Sequence, residues 1–292
     1  MKTVFLGTSE FAAAVLERLA GSEHRPTLVV TRPDRPAGRG RRLTPPPVAV
    51  KARELGLPID QPDSVNSDEA RARIAAERPD AVAVCAFGAL LKEPLLGEHL
   101  MLNVHPSLLP RWRGAAPIER AIMAGDEETG VAIMRPTAGF DEGPVCAVGR
   151  EPIRPDDDYG TLAARLEPLG ADLLVRALDE RPPFVEQPGE GVTYAEKISP
   201  EDRRLDAVAR PAVELDRVVR ALHPHIGARL DDLGVRRARP VDEELPAGRL
   251  AAADGRLLLG CAAGALELLE VQPPGGRPMD AAAYVRGHRL SG

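Results

Sequence analysis

Aromatic side chains are scarce in this chain: five Phe, three Tyr and one Trp among 292 residues. A core without large rings has to be assembled mainly from Leu, Val, Ile and Ala. Cysteine is rarer still. Cys85, Cys146 and Cys261 are odd in number, far apart and in no C-x-x-C pair. That pattern excludes a disulfide framework and a cysteine zinc site, and it predicts small buried thiols in a reducing compartment. Long apolar runs are missing too. The longest, AVAVCAFGALL at 81–91, falls far short of the roughly 20 residues that cross a bilayer. The opening MKTVFLGTSEF reaches Thr, Ser and Glu after a short apolar stretch, so it does not read as a signal peptide. These absences predict a cytoplasmic protein that does not enter a membrane.

Excess positive charge is absent as well. The 38 basic and 44 acidic residues leave a net charge of −6, a total that does not advertise a nucleic-acid binder. The distribution is uneven, however, and distribution governs binding more than the total does. Between Arg32 and Arg42 five arginines stand against one aspartate, while the stretch from Arg204 onward is close to neutral.

The length fits about two domains. Short apolar runs alternate with amphipathic stretches over the first two-thirds of the chain. Lys2–Leu6 reads as a strand, FAAAVLERLA at 11–20 as a helix capped by Ser9, and Thr27–Thr31 as a second strand. The run RPDRPAGRGRRLTPPP that follows is too rich in Pro and Gly for any regular element. Helical patterns near 47–55 and 67–77 flank an extended piece at Pro58–Asp60, and Asp80–Val84 and Met101–Val104 are further strands. This alternation predicts an α/β fold, a doubly wound, mostly parallel sheet with ligands beyond the carboxyl ends of its strands. After about residue 183 the pattern loses its period. One helical segment, 213–223, is followed by short runs at hairpin spacing, which predicts a smaller β-rich C-terminal domain.

The segment MLNVHPSLLPRWRGAAPIERA at 101–121 carries the most chemistry. Asn103 and His105 are two apart at a strand end, so both side chains point to one side of the sheet. An amide there can donate to a developing oxyanion, and an imidazole can donate or shuttle a proton. Asp141, in the Gly-flanked PTAGFDEG, can reach the same pocket. Each signal alone is weak; together they form an acyl-transfer constellation.

The segments NVHPSLLPRWRGAAPI and TAGFDEG resemble the two core motifs of the formyltetrahydrofolate-dependent formyltransferases. The resemblance implies catalytic roles for Asn103, His105 and Asp141, and a folate-side loop made by Ser107, Leu108, Leu109 and Pro110. AVCAFGALL at 83–91 resembles the strand and loop lining the pterin pocket, which implies contacts from Phe87, Gly88 and Leu90; Phe87 stands where a tyrosine is common. FLGTSEFAAAVL, TRPDRPAGRGRRLTPPPV and TYAEKIS are similar to segments of the methionyl-tRNA formyltransferase branch. That likeness implies a tRNA-contacting loop with Arg39, Arg41 and Arg42, and an OB-like C-terminal β-barrel that binds tRNA.

The expected layout is thus a Rossmann-like catalytic domain at 1–183, a linker at 184–203 and the barrel at 204–292. The implied partners are 10-formyltetrahydrofolate as donor and initiator methionyl-tRNA as acceptor, met by a monomer. No metal is implied, because the site groups lack ligand spacing and the donor is already activated. Asn103 is expected to hold the oxyanion. His105 is a second donor or a proton carrier, and Asp141 either orients His105 or takes the amine proton through a water. A sister formyltransferase for a sugar or ribonucleotide amine would share these three residues but lack the arginine loop and the second domain. A nicotinamide-dependent oxidoreductase is disfavoured: Gly7-Thr8-Ser9-Glu10-Phe11-Ala12 carries only the first glycine of G-x-G-x-x-G.

Overall fold

In the computed structural model, which describes residues 1–37 and 42–288, the apolar run TVFLG forms β1 (Thr3–Gly7), buried at every position. A strand buried on both faces is expected at the centre of a parallel sheet. Ser9 then caps α1 (Glu10–Ala20), its Oγ accepting the Ala12 N–H at 3.2 Å. The chain continues through β2 (Pro26–Val30), β3 (Arg35–Ala37), β4 (Arg42–Thr44), α2 (Pro47–Glu54), β5 (Ile59–Asp60), α3 (Asp68–Ala76) and β6 (Ala81–Cys85). Next come α4 (Leu95–Glu98), β7 (Met101–His105), β8 (Arg113–Gly114), α5 (Pro117–Ala124), β9 (Glu128–Met134), β10 (Val145–Pro152), α6 (Tyr159–Glu180) and β11 (Tyr194–Ala195).

The main sheet has seven strands in the order β10-β9-β7-β6-β1-β2-β5. Strands β5, β2, β1, β6 and β7 run parallel, and β9 and β10 are antiparallel additions. From β1 the chain moves to one side for β2 and later to the other side for β6. The order therefore reverses at β1, which opens a crevice at the carboxyl edge. Gly7 ends β1 at that edge. A Cβ there would lie 3.0 Å from the Cys85 carbonyl and 2.6 Å from the Phe5 ring, so only glycine lets the ends of β1 and β6 come this close.

The Pro/Gly/Arg segment departs from the expected loop. Around the segment, β3 and β4 pair antiparallel with Arg35 opposite Thr44 and Ala37 opposite Arg42. A two-stranded ribbon tolerates Pro36 because an edge strand needs few donors. The thiols also differ slightly from expectation: Cys85 and Cys261 are buried, whereas Cys146 is only half-buried. Desolvation pushes the Cys85 thiol pKa far up, which keeps it neutral and inert.

The C-terminal part begins with α7 (Ala212–Leu222) and continues through β12 (Ala228–Leu230), β13 (Leu233–Val241), β14 (Leu250–Ala253), β15 (Arg256–Gly260), β16 (Ala265–Gln272), β17 (Met279–Asp280) and α8 (Ala281–Gly287). Its ladders are all antiparallel, in the order β12-β13-β16-β15-β14 with β17 beside β16. Leu215, Val218, Val219 and Leu222 make a helical stripe on α7 and share one core with Val235, Leu257, Leu266 and Val271.

Residues 1–114, 128–152 and 163–194 form one compact unit, and 115–127, 153–162 and 195–292 form the other. The division is discontinuous along the chain because α5 packs against α7. Within the second unit Arg120 donates to both oxygens of Asp202 at 2.7 and 2.9 Å. That guanidinium, helped by the Ser199 N–H, holds the Asp202 pKa down at about 2. An unfolded chain binds this proton at about pH 4, so the pair stabilises the fold above that pH and loses its effect as pH falls through about 2. Asp202→Asn should therefore cost about 1–2 kcal/mol at pH 7. Calorimetric Tm differences between variant and parent should shrink towards zero in acid.

Candidate active site

Asn103 and His105 stand at the end of β7, where Val84 and Cys85 of β6 pair with Asn103 and Val104. On the other side β9 pairs Met134 with Asn103 and Ala132 with His105. Because β9 runs out beside Asn103, its connection to β10 starts at the same place. That connection carries Asp141. Its base is tight: a Cβ on Gly143 would fall 1.9 Å from the Arg135 carbonyl, so the turn requires glycine there.

The turn brings the three expected residues together. Asn103 Nδ2 lies 3.5 Å from Asp141 Oδ1 and 3.6 Å from the Met134 sulfur. His105 Nδ1 lies 3.5 Å from Asp141 Oδ2, which also accepts the Gly114 N–H at 2.9 Å. His105 is only 4% exposed, and its Nε2 is 2.8 Å from the Trp112 carbonyl. A carbonyl can only accept, so Nε2 carries the proton. In a neutral imidazole Nδ1 is then a lone pair, and it faces a carboxylate oxygen. In that state two acceptors face one another across a gap that takes a donor; a protonated ring instead donates from Nδ1 to Asp141. The loose 3.5 and 3.6 Å approaches of the Asn103 amide leave its N–H groups free to tighten on another acceptor.

Two residues at the site hold left-handed backbone, Trp112 (φ 62°) and Asp141 (φ 45°). Such a conformation costs a non-glycine residue roughly 1–3 kcal/mol and persists only where neighbours enforce it. Among the described residues, no group of three or more His, Cys, Asp or Glu is arranged to hold a metal ion.

The other expected site residues are placed unequally. Phe87 is buried in a cluster with Leu6, Leu28, Val82 and Leu91, and its carbonyl accepts the Thr8 hydroxyl at 2.7 Å. Gly88 is left-handed (φ 73°), and its carbonyl accepts Arg32 Nη1 at 2.9 Å. Leu90 is 53% exposed. Ser107 is fully buried and donates to the Arg111 carbonyl at 2.6 Å, so its hydroxyl closes the loop of residues 107–111. Leu108 and Leu109–Pro110 belong to that loop, with the Leu108 methyl packed over Gly130 of β9. Arg42 lies exposed on β4, and Arg39 and Arg41 fall outside the described residues.

Family comparison decides what this geometry belongs to. The profile of the Formyl transferase family matches residues 1–178, and that of the Formyl transferase, C-terminal domain family matches 197–289. Methionyl-tRNA formyltransferase of Paracoccus denitrificans is 44% identical over 99% of this chain and 98% of its own. The enzyme of that name from a Methylobacterium species is 46% identical over 99% of this chain and 97% of its own. The chain belongs to the methionyl-tRNA formyltransferase family. Among solved structures, HypX from Aquifex aeolicus in complex with tetrahydrofolic acid is similar with a TM-score of 0.68. The match covers 98% of this chain and 47% of HypX at 18% identity, a likeness of fold. The end of β7 and the β9–β10 turn, which carry NVHPSLLP and TAGFDEG, both lie within the range matched by the Formyl transferase family.

Sequence reasoning overlooked Arg113, Gln187 and Thr193. Arg113 donates from Nε and Nη2 to Gln187 Oε1 at 3.0 and 2.8 Å. Gln187 Nε2 donates to the carbonyls of Asp141 and Gly143 at 2.7 and 2.8 Å. Thr193 Oγ1 accepts the Trp112 N–H at 2.9 Å. WRG is part of the motif that pointed here and Thr193 opens TYAEKIS, but neither segment signals this contact, and nothing around Gln187 does.

Proposed function

We propose that this protein transfers the formyl group of 10-formyltetrahydrofolate to the α-amine of initiator methionyl-tRNA, with Asn103, His105 and Asp141 as the catalytic groups. The convergence of those three side chains at the end of β7 carries the proposal. The donor supplies an activated formyl carbon on N10. As the amine nitrogen bonds to that carbon, the carbonyl oxygen gains negative charge; the bond to N10 then breaks, N10 gains a proton and the amine loses one. Asn103 is the donor to the developing oxyanion. With His105 neutral, its Nδ1 and Asp141 Oδ2 are two acceptors 3.5 Å apart, an arrangement complementary to an amine that must be held and deprotonated. The amine sits next to an ester, which makes its neutral form readily available.

Residues 87–90 and 107–110 take the folate side of the crevice. The exposed Leu90 and the left-handed Gly88, which has no side chain to cover the crevice, suit a flat ring; Phe87 acts from the core beneath. Residues 1–183 perform the chemistry and 204–292 hold tRNA, joined through 184–203. The enzyme works as a cytoplasmic monomer, where charged tRNA and reduced folate are both found. Formyl label incubated with the protein should appear on charged initiator tRNA and not on free methionine. Label on neither, or on a sugar amine instead, would reject the proposal.

The arginine segment supplies the electrostatic part. Arg32 is committed to Gly88 and Arg35 opens β3; of the five arginines, Arg39, Arg41 and Arg42 are the ones proposed for phosphates. Replacing these three by alanine should flatten the salt dependence of the tRNA KM by roughly 0.7–0.9 in log–log slope for each phosphate no longer neutralised. Folate KM should not change. A salt series with an unaltered slope returns these arginines to an ordinary solvated surface.

A further inference from the structure

The segment between α6 and β11 reads in the sequence as a linker, yet it is fastened at both ends. Val185 exchanges both backbone hydrogen bonds with Val145 at 2.8 Å. At the other end the Thr193 carbonyl accepts the Arg113 N–H at 2.9 Å. Between these anchors it sends one side chain to each of the two left-handed residues of the site. Gln187 Nε2 spans the Asp141 and Gly143 carbonyls, while its Oε1 is gripped by Arg113. Thr193 Oγ1 holds the Trp112 N–H, and the Trp112 carbonyl receives His105 Nε2.

We infer that Gln187 and Thr193 are positioning residues for formyl transfer: Gln187 fixes the direction of the Asp141 carboxylate, and Thr193 fixes the His105 tautomer through Trp112. The inference rests on the catalytic reading of His105 and Asp141. Its logic is that of a second layer around catalytic side chains, where hydrogen bonds to the backbone set orientation and proton position without touching substrate. Thr193 holds both peptides that flank the Trp112 Cα: its Oγ1 takes the Trp112 N–H, and its carbonyl takes the Arg113 N–H of the peptide that carries the Trp112 carbonyl. Without Oγ1 the first peptide is released and the left-handed φ of Trp112 relaxes. That loosens the direction of its carbonyl towards Nε2, so Nδ1 no longer has to be the lone pair that faces Asp141. Without Gln187, the turn bearing Asp141 keeps its glycines but loses the side-chain amide that ties its Asp141 and Gly143 carbonyls together.

Thr193→Val is the sharpest test because it keeps shape and removes only the acceptor. In the intact protein, ¹⁵N NMR of His105 should show Nε2 protonated and Nδ1 unprotonated. Thr193→Val should mix the two tautomers, lower kcat about ten-fold or more and leave both KM values within about two-fold. Thr193→Ser, which restores the oxygen, should recover tautomer and rate. Gln187→Glu exchanges its two donors for a carboxylate aimed at two carbonyls. It should lower kcat at unchanged KM and shift the pH profile of the single-turnover rate. Unaltered His105 signals in Thr193→Val overturn the inference, as does a rate loss that Thr193→Ser does not repair. If the tautomer changes and kcat does not, the brace stands and the catalytic assignment of His105 falls instead.

Discussion

Asn103→Ala is expected to lower kcat for formyl transfer about 10²–10³-fold and to leave both KM values within about three-fold. The Asn103 amide is weakly engaged in the resting site. Its distances to Asp141 Oδ1 and the Met134 sulfur are 3.5 and 3.6 Å, too long to contribute much to ground-state order. A donor with little to lose at rest can strengthen selectively as the formyl oxygen becomes an oxyanion, which is the condition for raising kcat and not merely binding. The cavity left by the alanine lies at a strand end and not in the core, so the Tm should change little. Steady-state kinetics with both substrates saturating would decide it. A variant with normal kcat and a raised KM would assign Asn103 to binding.

Asp141→Asn should be at least as damaging, with kcat reduced about 10²–10⁴-fold. The replacement keeps the volume, and its oxygen can still accept the Gly114 N–H, which now bonds Oδ2 at 2.9 Å. Its NH₂ then takes the Oδ1 place, 3.5 Å from the Asn103 amide nitrogen, where two donors meet. The substitution removes the carboxylate charge that favours deprotonation of the substrate amine. The fold keeps the Gly114 bond while the chemistry loses a proton acceptor. Unchanged circular dichroism and folate binding alongside the kinetic loss would be the expected pattern. Turnover that survives at saturation, with folate binding weakened, would make Asp141 a binding residue.

Much of this site is legible in the sequence because its strongest signals are local. The N-x-H spacing is read through the two-residue period of a strand, and β7 extends to His105 as that reading requires. The apolar runs that became β1, β2, β6 and β7 lie within a residue or two of where the pattern put them. What the sequence did not show are interactions across long stretches of chain. Gln187 reaches Asp141 over 46 residues and Thr193 reaches Trp112 over 81, and neither sits in a periodic element. A non-periodic stretch looks the same whether it swings free or braces a turn. Phe87 shows a second long-range effect. It lies in a motif beside the crevice, yet an aromatic next to Leu6 and Val82 is drawn into the core. The β3–β4 ribbon was hidden by its own Pro and Gly content, since composition predicts where long elements stop but not where two short edges meet.

Single-turnover formyl transfer to charged initiator tRNA, measured for Asn103→Ala, Asp141→Asn and the double variant, tests most directly whether the two residues act as one site. Groups that touch and serve one transition state do not lose their effects independently. The double variant should be within a few-fold of the slower single variant. Losses that multiply to about 10⁴-fold or more would mean that Asn103 and Asp141 act separately, and the site built on their convergence would be wrong.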